Sequence, residues 1–122
     1  MTKISILVAV YNAERYLSQC LESLCQQTLR DIQIVCIDDC STDSSSQIIS
    51  YYASHDSRIV SLRTPKNSGQ AEARNLGLSV AEGEYTTMLD ADDWYAPDAL
   101  AQAYQALQEN EENDVAVMRV ML

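Results

Sequence analysis

Apolar residues occur along this chain in two kinds of run, and the alternation between them predicts its architecture. Ile4–Val10 is rich in β-branched residues and apolar on both faces, as a strand buried beneath helices in a parallel sheet would be. Over residues 13–27, Tyr16, Leu17, Cys20, Leu21, Leu24 and Cys25 recur at helical spacing. Glu14, Arg15, Gln19, Glu22 and Gln26 are left for solvent, which predicts an amphipathic helix with Asn12 as its cap. The unit repeats, with Ile32–Asp38 as a second buried strand, Ser41 or Thr42 as cap, and a helix over residues 44–54. Ile59–Arg63 is a third strand, followed by a loop over 64–69 and an alanine-rich helix from 70 to about 81, with Gly83 closing it. A fourth strand covers 84–89. Ala96-Pro97-Asp98 then opens a helix whose buried side carries Leu100, Ala103, Tyr104 and Leu107, and residues 115–120 read as a final strand.

Alternation of strand and helix throughout predicts an α/β fold of three layers, α/β/α, on a mostly parallel sheet with right-handed crossovers. Ligands of such sheets bind in a crevice at the carboxyl ends of the strands. The polar clusters obey that geometry, since Tyr11-Asn12, Asp38-Asp39 and Asp90-Ala91-Asp92-Asp93 each follow a strand. No repeat or low-complexity linker divides the chain, so residues 1–122 are expected to form one domain.

Composition narrows the field. Apolar residues at 47% and charged residues at 21% are ordinary for a folded domain. The apolar runs fall well short of the roughly 20 residues of a membrane helix. Met1-Thr2-Lys3 leads straight into a strand without a signal region, so a cytoplasmic location is expected. A net charge of −10 opposes binding to nucleic acid. The acidic run over 109–114 fits a solvated turn. Cysteines at 20, 25, 36 and 40 form no Cys-x-x-Cys pair, and the lone His55 has no partners for a zinc site, so reduced thiols are expected.

The acidic residues after strands carry the candidate chemistry. In Asp90-Ala91-Asp92-Asp93, two or three carboxylate oxygens can converge on Mg2+ or Mn2+, leaving open positions that a diphosphate can fill. An ordinary surface turn carries the same pattern, so the motif alone leaves both readings open. Asp38 and Asp39 can accept from ribose hydroxyls or a base N–H, the alternative being helix capping, for which Asp43 already suits. Tyr11 offers a flat face to a nucleobase or a lid to the core. Arg74, a long cation in a small-residue helix, either pairs with an aspartate cluster or faces a diphosphate.

Four segments together resemble a known family. Val10-Tyr11-Asn12-Ala13-Glu14-Arg15-Tyr16-Leu17, Ile37-Asp38-Asp39-Cys40-Ser41-Thr42-Asp43, Asn67-Ser68-Gly69-Gln70-Ala71-Glu72-Ala73-Arg74-Asn75-Leu76-Gly77 and Leu89-Asp90-Ala91-Asp92-Asp93-Trp94 are similar, in order, to the signatures of family 2 inverting glycosyltransferases of the GT-A fold. The match covers roughly residues 3 to 100, and four spaced motifs are far more specific than one. The resemblance implies metal-dependent transfer of a sugar from a nucleotide diphosphate sugar, most often uridine-linked, to an acceptor hydroxyl with inversion, in polysaccharide or glycan synthesis. It implies that Tyr11 stacks on the base, that Asp39 accepts the base N–H and that Arg74 lies near the nucleotide. Asp90 would contact the ribose or sugar, with Ala9 and Ala91 also on the nucleotide-sugar side. Asp92 would be the principal metal ligand with Asp93 beside it, the ion being Mn2+ or Mg2+.

Two departures from the family pattern stand out. Cys40 occupies a position where the family usually has glycine, so either the turn does not need a positive φ or Cys40 is strained or displaced there. Family members also run well beyond 200 residues and carry their catalytic carboxylate and acceptor site in the later half. The chain is therefore expected to be the truncated, donor-binding part, with its base beyond Leu122 and no transfer activity alone. A glycan or lipid-linked acceptor is expected for the full-length protein, as are a place at the inner face of the membrane and self-association through an exposed sheet edge. Competing readings fit less well. A phosphoacceptor domain needs an acidic pair after strand one and a lysine after strand five, and an Asp-x-Asp phosphatase needs its motif after strand one. A dinucleotide oxidoreductase needs a Gly-x-Gly-x-x-Gly that is absent. A nucleotide-binding module without catalysis remains the alternative.

Overall fold

The computed structural model describes residues 1–109 and the backbone of residues 120–121. In chain order its elements are β1 (Ile4–Val10), α1 (Leu17–Cys25), β2 (Ile32–Asp38), α2 (Ser45–His55), β3 (Ile59–Arg63), α3 (Gln70–Leu78), β4 (Tyr85–Met88), β5 (Trp94–Tyr95), α4 (Ala99–Glu109) and β6 (Val120–Met121). The first four strands form one parallel sheet in the order β3-β2-β1-β4.

Strand residues alternate between two apolar interiors, which is why both faces of β1 and β2 are apolar. Ile4, Ile6, Val8 and Val10 of β1 and Ile34 and Cys36 of β2 pack against Leu17, Cys20, Leu21 and Leu24 of α1, Ile49 of α2 and Leu100 of α4. Leu7, Val35 and Ile37 face the other way, onto Ala73 and Leu76 of α3. Three layers result. Each leucine fully buried from α1 contributes roughly 1.5–3 kcal/mol. On the opposite face α3 lies close to the sheet, and a Cβ at Gly77 would come 2.8 Å from Ile37 Cδ1.

Because α1 and α2 return the chain along one side while α3 carries it back across β2 and β1 to β4 on the other, the order of strands reverses at β1. Sheets of this kind open a crevice at that reversal, beyond the carboxyl ends of β1 and β4.

Several element ends differ from the sequence reading, each for a local reason. Helix α1 starts at Leu17 because residues 13–16 form a turn in which Tyr16 N and Leu17 N both donate to Ala13 O. Asn12 does not cap this helix; the residue at its N-terminus is Tyr16, without a side-chain hydrogen bond. Helix α2 is preceded by Ser44, with Asp43 Oδ1 accepting from Ser45 N, so Ser41 and Thr42 lie before the cap. Gly83 closes no helix. It lies where a Cβ would come 2.5 Å from Ser5 N of β1, and its own N–H donates to Ser5 Oγ at 2.8 Å. Of the expected final strand, residues 115–119 lie outside the described residues. Val120 and Met121 pair antiparallel with Tyr95 and Trp94 in a ribbon separate from the main sheet.

All four cysteines are free thiols, as expected. Cys40 settles its own question. Its φ is +59°, so the turn after β2 does demand the left-handed conformation, and the Sγ donates to Thr64 O at 3.0 Å. A non-glycine residue held there costs about 1–2 kcal/mol, partly offset in any glycine variant by the roughly 0.5–1 kcal/mol of extra chain entropy that glycine loses on folding. Cys40→Gly is therefore expected to raise stability by about 0.5–1 kcal/mol in urea unfolding. A loss of about 1 kcal/mol or more would show that the sulfur contact outweighs the strain.

Arg58 joins the far ends of α1 and β2 to the start of β3. Its guanidinium forms two hydrogen bonds to the Asp56 carboxylate, at 2.9 and 2.7 Å, and also donates to Cys25 O and Arg30 O. The Arg58 hydrogen bond holds the Asp56 carboxyl down at about 2, from an ordinary 3.8. A carboxylate depressed in the folded state contributes stability above its unfolded value, and that contribution fades as pH falls through the folded one. Between pH 5 and pH 2 the wild-type protein should lose about 2 kcal/mol through this group, with both side chains mostly buried. Asp56→Asn should remove that part of the acid limb; an unchanged limb in urea midpoints across this range would assign it to other carboxylates.

Candidate nucleotide and metal site

The turn after β4 is built by alternation. Leu89 and Ala91 are buried, Leu89 N donates to Leu7 O of β1, and Asp93 N closes the turn onto Asp90 O. The intervening carboxylates are thereby directed outward, with Asp90 and Asp92 exposed and Asp93 half-buried. One oxygen from each of the three lies within 4.8 Å of the others, the one such acidic or thiol cluster among the described residues. Opposite ligands of an octahedral Mg2+ are about 4.2 Å apart, twice the metal–oxygen distance. Small side-chain rotations close that difference, and a set made only of carboxylate oxygens suits a hard divalent cation.

Electrostatics favour the same ion. Burial, then the charges of Asp92 and Asp90, push the Asp93 carboxyl above its ordinary range. A cation shared by the three would relieve that repulsion. Beneath the turn the Cys20 sulfur faces Asp90 O at 3.8 Å. Burial, then Asp93, Asp92 and Asp90, push this thiol up to about 12, so it remains protonated and unreactive at neutral pH. Arg74 reaches the turn from α3, its Nη2 standing 3.6 Å from Asp90 Oδ1. This realises the pairing with an aspartate cluster. With both groups substantially exposed, its value for stability is small.

The two aspartates at the end of β2 go separate ways. Asp38 is buried away from the crevice and takes Ser41 N on Oδ1 at 2.9 Å, while its Oδ2 has no partner among the described residues. It is 3% exposed and is not among the residues that line the cleft. Asp39 does line it. Its carboxylate accepts from Thr64 Oγ1 at 2.7 Å, Ser68 N at 2.9 Å and Gly69 N at 2.9 Å. Burial works against the charged form, yet the hydrogen bonds from Ser68, Thr64 and Gly69 outweigh it and hold the carboxyl below its ordinary range. Asp39 thus secures loop 64–69 and the N-terminus of α3 while presenting a charged edge to the cleft.

These parts surround one cleft of about 520 Å³ at the predicted reversal point, within the usual range for small-molecule sites. Ala9, Tyr11, Asp39, Asp90, Ala91 and Asp92 all line it. Arg74 and Asp93 stand beside its acidic end without lining it. Tyr11 is 48% exposed, which favours its role as an open face over that of a core lid. The lining also includes Tyr16, Asn67 and Gln70, which the sequence reading did not single out. Asn67 and Gln70 lie within a quoted motif, and their position just before and at the start of α3, next to Asp39, was the available signal.

Comparisons with known proteins show the family and the fold. The family model described as "Glycosyl transferase family 2" matches residues 5–121. Glycosyltransferase GlyG of Streptococcus pneumoniae is 39% identical over 108 residues, covering 88% of this chain and 36% of that protein. Poly(ribitol-phosphate) β-N-acetylglucosaminyltransferase TarS of Staphylococcus aureus is 33% identical over 122 residues, 98% of this chain and 21% of that protein. The crystal structure of TarS in complex with UDP-GlcNAc superposes with a TM-score of 0.85 at 30% identity, over 97% of this chain and 37% of that one. The mannosyltransferase PcManGT from Pyrobaculum calidifontis, in complex with GDP-Man and Mn2+, gives a TM-score of 0.81 at 25% identity, over 86% of this chain and 32% of that one. The chain thus spans well under half of each of these larger proteins, and the architecture is that of the GT-A fold. With the family match running from β1 through the acidic turn to β6, the chain belongs to glycosyl transferase family 2.

Proposed function

We propose that this chain supplies the donor and metal site of an inverting glycosyltransferase, binding a nucleotide diphosphate sugar, most simply a uridine-linked one, together with Mn2+ or Mg2+. The observation that carries the reading is the convergence of Ala9, Tyr11, Asp39, Asp90, Ala91 and Asp92 on one cleft beside the three-carboxylate cluster. Tyr11 offers the stacking face for the base, and Asp39 the acceptor for its N–H. Asp90 is within reach of ribose or sugar hydroxyls. Asp92, with Asp93, would hold the ion, whose chemistry is to neutralise the diphosphate as it leaves. Arg74 adds positive charge at the same end and orients Asp90. Support for a nucleotide sugar and for manganese comes from the ligands of TarS and PcManGT.

None of the cleft carboxylates is assigned as the base that takes the acceptor's proton. Asp39 is engaged by three hydrogen bonds, and Asp90, Asp92 and Asp93 belong to the metal end. The acceptor, a glycan or lipid-linked hydroxyl, would be presented by further parts of the enzyme.

Metal dependence is the direct test. Without a cation the acidic turn and the diphosphate repel each other, so calorimetric titration with UDP should show binding with Mn2+ and a large loss with chelator. Asp92→Asn should weaken binding tenfold or more, about 1.4 kcal/mol. Asp31→Asn, at the opposite edge of the sheet, should leave it unchanged. Equal affinity with and without metal would remove the ion from this reading.

A further inference from the structure

We infer that Asn12 is a positioning residue for the nucleotide, holding Tyr11 at a fixed distance and angle from Asp39 by clamping the loop after β1 to the loop after β2. The inference rests on the nucleotide-sugar reading of the cleft and deepens it.

Asn12 is the residue directly after Tyr11, and it occupies the left-handed region at φ +48°. Its side-chain oxygen accepts from Thr42 N at 2.8 Å, Thr42 Oγ1 at 3.3 Å and Asp43 N at 3.3 Å. Its own N–H donates to Ser41 Oγ at 3.0 Å. One residue therefore engages the β2–α2 loop through both main chain and side chain. Its neighbours extend the seam in both directions. Ala13 N donates to Ser45 Oγ, Glu14 N to Asp43 Oδ2, and Ser44 N back to Glu14 Oε2.

Asp39 belongs to the same loop, and Asp39 N donates to Val10 O at 2.8 Å, the last rung between the two strands. Tyr11 is thus bracketed. On one side the rung fixes Val10 to Asp39; on the other the clamp fixes Asn12 to residues 41–43. Few side chains meet both demands of the position. Asparagine tolerates a left-handed backbone better than most residues and carries a short acceptor able to reach backbone N–H groups on the adjoining loop. Glycine meets the first demand only, aspartate meets both, and alanine meets neither.

A half-exposed aromatic ring gives useful stacking only when its backbone is held still, because an ordered contact must overcome the entropy of ordering the groups that make it. The clamp supplies that order before the ligand arrives. It also predicts an energetic signature that a merely structural stitch would not have. Asn12 itself borders the cleft, but its side-chain oxygen is taken up by Thr42 and Asp43, so loss of that oxygen should weaken nucleotide binding chiefly through Tyr11.

The test is calorimetric titration of UDP in the presence of Mn2+ against wild type, Asn12→Gly, Asn12→Asp, Tyr11→Ala and the Asn12→Gly/Tyr11→Ala pair, each with its thermal melt. Asn12→Gly should weaken binding by about fivefold to tenfold and Asn12→Asp by no more than about twofold. In the Tyr11→Ala background, Asn12→Gly should add less than about twofold, since the residue it positions is gone. Unchanged affinity in Asn12→Gly, or losses that multiply fully in the pair, would overturn the inference while leaving the nucleotide site standing. Absence of UDP binding by wild type would instead remove the nucleotide reading and the inference with it. If Asn12→Gly does not fold, Ser41→Ala, which removes the main-chain half of the clamp, takes its place with the same expected coupling to Tyr11.

Discussion

Parallel pairing of β1 with both β2 and β4 is the constraint on which the site depends. When neighbouring strands run the same way, all their carboxyl ends lie along one edge, and whatever polar residues follow them are gathered there. Val10 pairs with Asp38 and Leu7 with Met88, so the turns after the three strands begin within a few residues of one another in height. Tyr11, Asp39 and Asp90 are far apart in sequence and share one cleft for this reason. Crossing helices on opposite faces then leave a gap between the loops instead of a closed lid, because α1 departs from β1 on one side and α3 arrives at β4 from the other.

Within that frame the site is divided between satisfied and unsatisfied charge. Asp39 is surrounded by donors from loop 64–69 and is comfortable as an anion without any ligand. The acidic turn is the opposite case. Its three carboxylates have one guanidinium at 3.6 Å from one of them, and burial together with the charges of Asp92 and Asp90 pushes the Asp93 carboxyl up. A site made this way favours a ligand that arrives with a cation at one end and neutral hydrogen-bonding groups at the other. In a chain of net charge −10, the negative charge gathered at this edge repels an anion that brings no cation with it.

How far the fold was legible follows from what kind of signal each feature leaves. Strands β1 and β2 were readable to the residue because a strand covered on both faces is a nearly continuous apolar run, broken here only by Ser5 and Gln33, and β3 was legible from its β-branched start although its burial alternates. The acidic turn was readable because its carboxylates alternate with Leu89 and Ala91, which the core takes in. Features that depend on contacts between loops left no periodic trace. Asn12 has the composition of a helix cap, and only the folded structure shows that it serves the neighbouring loop, with α1 starting later at Leu17. Asp38 and Asp39 are alike in sequence, but the first turns back onto its own loop at Ser41 N while the second is taken up by Thr64, Ser68 and Gly69. Gly83 resembled a helix terminator, and its function is to let two backbones touch. Cys40 showed that a departure from a family pattern need not mean a departure from its geometry, since the left-handed turn is retained under a less suitable residue.

The thin contact between α3 and the sheet bears on how such a site can diversify. Ala73 and Gly77 set the separation between helix and strands, and Gly77 already leaves less room than a methyl group needs beside Ile37. A side chain at Gly77 would have to displace Ile37 Cδ1, the mobile end of that side chain, and enlargement there or at the fully buried Ala73 presses on the helix that carries Arg74 and one wall of the cleft. The cleft can be reshaped with less disturbance of the core from the exposed residues Asn67 and Gln70, which line it without belonging to either apolar cluster.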